Sequence, residues 1–142
     1  MVRHIWKAMV LLLGGALLGS LLAGAVGAQA EKPKVSISSP SESSVVKAGD
    51  VKVDMSVTGA TLKKADETHD PKTGHFHLYL DKMPEGGKPI PKGIEGIWHT
   101  AEQSFTMKNV SPGVHTLILI WAYGDHVPFT PWVTDTIMFE AK

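Results

Sequence analysis

Cysteine is absent from the 142-residue chain. That excludes disulfides, cysteine-based zinc sites, and a blue-copper centre, which requires a thiolate ligand. It also excludes lipidation at a cysteine. Arginine is nearly absent as well: Arg3 is followed by lysines alone. No segment is dense in basic residues, which argues against nucleic acid as a partner. Enzyme signatures are missing too. There is no Gly-x-Ser-x-Gly elbow, no phosphate loop, no His-Glu-x-x-His, and no pair of carboxylates spaced for general acid and base work. The expectation is a protein that is not an enzyme. Beyond residue 30 there is no amphipathic helical repeat.

Residues 1–30 read as a secretory signal peptide. Arg3, His4 and Lys7 make a basic start. The run from Ala8 to Val26 is apolar or small, and Ala28-Gln29-Ala30 is a small-x-small cleavage site. An uncleaved N-terminal membrane anchor is the alternative, because the apolar run is long for a signal. Cleavage before Glu31 leaves 112 residues, enough for one domain. Arg3 and Lys7 leave with the signal, so 12 of the 14 basic residues remain against 14 acidic ones, a net charge of −2. The expected location is periplasmic or secreted.

From residue 31 to 142 the pattern is of short β-type runs broken by Gly, Pro, Ser and Asp. Val51, Val53, Met55 and Val57 alternate with polar residues, as in a half-buried strand. Val35–Ser38, His75–Leu80, Phe105–Met107 and Val133–Ala141 read as further strands. Val114–Tyr123 is apolar on both faces and reads as a central strand buried between layers. Residues 81–97 hold three prolines and four glycines, the composition of a long functional loop. About seven short strands in one domain predict an all-β fold, an antiparallel β-sandwich of immunoglobulin-like type.

Six of the seven histidines fall between His69 and His126. His75 and His77 lie two apart in Gly74-His75-Phe76-His77-Leu78, so both point to one strand face, while Phe76, Leu78 and Leu80 point to the core. This predicts two adjacent imidazoles on a non-core surface, a seat for a transition metal. Loop ends at one pole of a sandwich cluster in space, which makes His99 and His126 the next candidate ligands. His115, just after Pro112-Gly113, is expected to hydrogen-bond locally, and His69 to be solvated. Met83 is a candidate thioether ligand, whereas Met107 and Met138 fit core positions. Trp98, Trp121 and Trp132 are expected in the core, with a ligand groove as the alternative.

Several segments occur in order: Gly74-His75-Phe76-His77-Leu78-Tyr79-Leu80-Asp81, Lys88-Pro89-Ile90-Pro91, Pro112-Gly113-Val114-His115-Thr116-Leu117 and Gly124-Asp125-His126-Val127-Pro128. In this the chain resembles a group of exported bacterial domains known as a domain of unknown function. They carry Gly-His-x-His-Leu, Pro-Gly-x-His-Thr-Leu and Gly-Asp-His motifs. The resemblance runs from Gly74 to the C-terminus. It implies a secreted, histidine-bearing β-sandwich and assigns no activity.

The leading expectation is a module that binds a copper ion through His75, His77, His99 and His126, with another periplasmic or membrane protein as a further partner. The competing class is a non-enzymatic structural or protein-interaction domain whose histidines serve packing. A third is a small enzyme or cofactor-assembly factor using the same face. Whether at least three imidazole nitrogens converge on one point separates the first two.

Overall fold

The computed structural model describes residues 31–142. The expected signal peptide or anchor lies outside the described residues. Among these, every regular element is a strand: β1 (Lys34–Ser39), β2 (Ser44–Val46), β3 (Gly49–Thr58), β4 (Thr61–Leu62), β5 (Thr73–Leu80), β6 (Ile97–Thr100), β7 (Ser104–Val110), β8 (Gly113–Ala122) and β9 (Thr134–Ala141). Nine strands form where about seven were expected. β2 and β4 are too short to show periodicity, and β6 lies at the end of the Pro/Gly-rich stretch.

Two sheets face each other. The smaller has the order β1-β3-β7, and the larger β2-β9-β8-β5-β4, with β6 also paired to β5. All pairings are antiparallel except β2 with β9 and β4 with β5. This is an immunoglobulin-like β-sandwich. The chain crosses from the small sheet to the large one between β1 and β2, as Greek-key sandwiches do. Asp135 on β9 ties the layers together, its carboxylate accepting the backbone N–H of Ile37 on β1 at 2.8 Å.

The alternation read from the sequence produces the core. Val51, Val53, Met55 and Met107 from the small sheet meet Phe76, Leu78, Leu117, Leu119, Trp121, Ile137 and Phe139 from the large one. Phe76 and Trp121 pack edge to face with centroids 5.4 Å apart. β8 is two-faced, as expected. Leu117, Leu119 and Trp121 point inward, while Ile118, Ile120 and Ala122 join Tyr79, Ile90 and Ile97 in a second cluster on the outer face. Ile90, from the loop between β5 and β6, covers that face. A sheet expected to be open on this side is therefore roofed, and that roof decides the environment of the histidines. Met138 departs from expectation: it faces outward and is 48% exposed, because the inward positions of β9 are Ile137 and Phe139.

Candidate metal centre

Strand pairing places three of the four candidate ligands. In the β5–β8 register His75 lies opposite Ala122 and His77 opposite Ile120, so both rings rise from the outer face beside the second cluster. Gly74 makes this register possible. A Cβ there would collide with the carbonyl oxygen of Ala122 and come within 2.8 Å of the Trp121 ring. β6 pairs with β5 on its other side and sets His99 directly across from His77. His99 thus arrives by cross-strand pairing rather than from a polar loop end, as expected from the sequence.

His126 comes from the turn after β8. Its N–H bonds to the Tyr123 carbonyl at 3.0 Å, and its own carbonyl accepts the N–H of Ile90 at 2.9 Å. Its φ is +67°, a left-handed conformation that costs energy in most residues and is found at functional sites. The turn is clasped by residues 63–69. The Gly124 carbonyl accepts the N–H groups of Asp66 and Glu67, and the Asp125 N–H reaches the Thr68 carbonyl at 3.1 Å. A Cβ at position 124 would strike the Asp66 carboxylate. Asp66 is itself paired with Lys63 and bonded to Thr68.

The four rings converge. His75 Nε2, His77 Nε2 and His99 Nδ1 lie 3.0, 3.2 and 3.1 Å from His126 Nδ1. One ligand nitrogen from each of the four lies within 4.8 Å of all the others. His75, His77 and His126 are 2%, 0% and 6% exposed, and His99 is half-buried. Burial corrects the expectation of a non-core surface for His75 and His77: β6, the His126 turn, and Ile90 and Pro91, which are bonded to His126 and His99, cover the face they share.

These contacts are not a hydrogen-bond network. An imidazole nitrogen offers one proton or one lone pair, so His126 Nδ1 can be partnered by only one of its three neighbours. His99 is further constrained. Its Nε2 donates to the Pro91 carbonyl at 2.9 Å, which leaves the Nδ1 lone pair aimed at His126 when the ring is neutral. On the far side, His75 Nδ1, His77 Nδ1 and His126 Nε2 are buried with no protein partner. Four ligands at 2.0–2.1 Å around a tetrahedral ion sit roughly 3.3–3.4 Å apart. The spacings around His126 are within a few tenths of an ångström of that value.

The rings are held neutral. Burial, then repulsion from His126, His99 and Lys92, pushes His75 down to about 4. Burial and the neighbouring rings hold His77 well below the usual histidine range. Burial, with Lys92 adding to it, also lowers His99 and His126. Neutral imidazole is the form that ligates a metal.

The remaining candidates separate from the site. His115 is structural, as expected. Its Nδ1 lies 2.6 Å from the Asp81 carboxylate and its Nε2 donates to the Ser111 carbonyl at 2.7 Å. His69 is not simply solvated: it stacks on Tyr123 at 3.6 Å and pairs with Asp125 at 2.8 Å. No periodicity or motif signals that pairing, which spans 56 residues. Met83 is 79% exposed in a groove with Tyr79 and Pro89 and does not line the concavity at the histidines. Trp121 is in the core and Trp98 packs against it. Trp132 instead lines an apolar groove of about 670 Å³ with Tyr123 and Phe129.

No curated protein matches the chain. Among solved structures it is similar to an engineered protein (14% identity, TM-score 0.45, covering 80% of this chain and 21% of that one). It is also similar to the endo-β-1,4-mannanase from Thermotoga petrophila (16%, 0.46, 82% and 21%). A third likeness is to the fibronectin(III)-like modules of Clostridium thermocellum CbhA (17%, 0.44, 76% and 96%). The chain spans about a fifth of the length of the first two. The model of a domain of unknown function, DUF4399, matches residues 53–142, a stretch that includes all four clustered histidines, and the chain belongs to that family.

Proposed function

We propose that the protein is a non-enzymatic transition-metal-binding module that works outside the cytoplasm, with copper as its ion. The observation that supports this most is the crowding of three imidazole nitrogens, from His75, His77 and His99, within 3.0–3.2 Å of His126 Nδ1. A buried cluster of this kind is destabilising by itself, because its lone pairs face each other and burial excludes protons. An ion converts every one of those lone pairs into a bond. Imidazole suits copper, zinc and nickel, and copper stands highest among the divalent ions for nitrogen donors. Residues 1–30 carry the pattern of an export signal, which supports a periplasmic or secreted location. A periplasmic or membrane protein that delivers or receives the ion is the natural partner.

Isothermal titration of the purified protein with Cu(II), and with Cu(I) under reductant, tests the reading. Wild type is expected to bind one ion per chain. The double variant His75→Ala/His77→Ala is expected to lose at least about 100-fold in affinity, since each ligand removed leaves a gap in the shell. Equal affinity in the double variant would place any copper elsewhere and remove this proposal.

A further inference from the structure

We propose that the four-histidine site selects a monovalent soft ion, cuprous copper, over divalent ions. This rests on the reading of the cluster as a metal site and adds the charge of its ion.

The donor set is neutral throughout. Of the histidine and carboxylate side chains in the described residues, the four that gather here are all histidines. A bound ion keeps its whole charge, +1 or +2, in a pocket whose floor is His75, His77 and His126, each no more than 6% exposed. The cost of removing an ion from water rises with the square of its charge, so a divalent ion costs about four times as much as a monovalent ion of equal size. Divalent sites ordinarily recover that cost with anionic ligands. Zinc held by three neutral histidines keeps a water that ionises to hydroxide. Here a fourth imidazole stands in that place.

The surroundings add positive charge. The Pro91 carbonyl accepts the N–H of His99, and the next residue is Lys92. Its ammonium, one residue beyond the carbonyl that holds His99, adds positive charge at the rim of the site. Lys64 lines the mouth of the concavity as well. The nearby carboxylates are engaged or at the rim. Asp125 binds His69 with one oxygen and the Val127 N–H with the other. Asp66 is paired with Lys63. Glu102 lines the mouth and Glu67 lies in the clasp on the His126 turn; both are exposed, as Lys64 and Lys92 are, so water screens all four. Cuprous ion needs no added anion or water and accepts few nitrogen ligands in irregular geometry, which suits a shell gathered around His126 rather than a regular polyhedron.

The test is a set of competition titrations on the full chain. Cu(I) is measured anaerobically against bicinchoninate, Cu(II) against nitrilotriacetate, and Zn(II) by calorimetry. Cu(I) is expected to bind at least about 100-fold tighter than Cu(II) or Zn(II), a difference of about 2.7 kcal/mol. Lys92→Glu, at an exposed position that leaves the fold intact, is expected to narrow that ratio by about two- to threefold through tighter divalent binding. Divalent binding equal to or tighter than cuprous binding would overturn the selectivity, and a ratio that widens in Lys92→Glu would overturn the charge argument behind it. The metal-site reading would then stand, provided His75→Ala/His77→Ala abolishes the divalent binding. Failure of wild type to bind any of the three ions would sink both.

Discussion

His115 and His126 are each 6% exposed, yet their surroundings are opposite in kind. Both nitrogens of His115 meet acceptors, the Asp81 carboxylate and the Ser111 carbonyl. A carbonyl only accepts, so Nε2 carries a proton, and the carboxylate against Nδ1 calls for a second. When protonated, His115 has a partner for each N–H, in line with its pKa, which against burial Asp81 and Ser111 shift upward. His126 faces three other imidazoles with one nitrogen and finds no protein partner for the other. Burial alone therefore does not distinguish a structural histidine from a ligand. What distinguishes them is whether groups of opposite polarity complete the ring.

The largest effect should come from swapping the two environments for apolar ones. His115→Leu is expected to cost about 1–2 kcal/mol, the worth of the two hydrogen bonds lost, because their acceptors on the exposed Asp81 and Ser111 can turn to water. His77→Leu removes a buried ring whose Nδ1 has no partner, and should leave the metal-free protein as stable as wild type or stabilise it by about 1 kcal/mol. The same His77→Leu should abolish metal binding, whereas His115→Leu should leave it within about twofold. Urea denaturation and copper titration of both variants check this. A His77→Leu protein destabilised as much as His115→Leu would erase the contrast.

Acidity should separate the two kinds by sign. The clustered rings have folded pKa values below the ordinary 6.5, that of His75 at about 4. As pH falls below about 6.5 the unfolded chain takes up protons that the folded cluster refuses. Metal-free stability should therefore fall steadily from there toward pH 4. For His115 burial opposes the charge, but Asp81 and Ser111 outweigh it and raise the pKa. Its contribution is complete below about 6.5 and is lost as pH rises through the folded value. Urea midpoints recorded from pH 4 to 9 should show an acid limb that shrinks in His75→Ala/His77→Ala, which removes two of the four lowered rings. They should also show an alkaline limb that vanishes in His115→Gln. Loss of the acid limb in His115→Gln instead would reverse the assignment.

The smallest effect concerns the clasp on the His126 turn. His69 is half-exposed, and its pairing with Asp125 is one of several contacts there. His69→Ala should cost no more than about 1 kcal/mol and weaken copper binding about two- to fivefold, by loosening the turn rather than removing a ligand. A loss as large as that of His77→Leu would make His69 a ligand.

The site's members were legible before its shape was. The two-residue spacing of His75 and His77 fixed their common face, because strand geometry leaves no other choice. The two-faced apolarity of Val114–Tyr123 announced a covering layer, yet nothing showed that residues 81–96 supply it. That segment has no periodicity, and its anchor is a single Ile90 between two prolines. For this reason strand spacing alone predicts an open surface for the pair. His99 reaches the cluster by a route other than a loop end: Ile97–Thr100 is too short to read as a strand, and only pairing with β5 reveals its register. Met138 failed for a parity reason, since the inward positions of β9 are odd-numbered.

The parallel pairing of β2 with β9 has a mechanical consequence. Ser44 lies beside Phe139 and Val46 beside Ala141. Tension applied ahead of β2 and beyond β9 pulls the two strands along their length in opposite directions. The bonds Ser43 N–H to Met138, Lys142 N–H to Val46 and Ala48 N–H to Lys142, at 2.7, 2.9 and 2.8 Å, are then loaded together in shear rather than opened one by one. The histidines stand on β5 and β6 and on the turn beyond β8, on the other side of β8 from this clamp. A pull applied at the start of β2 and the end of β9 meets the clamp first, and the histidine side of the sheet stays unstressed until it gives way.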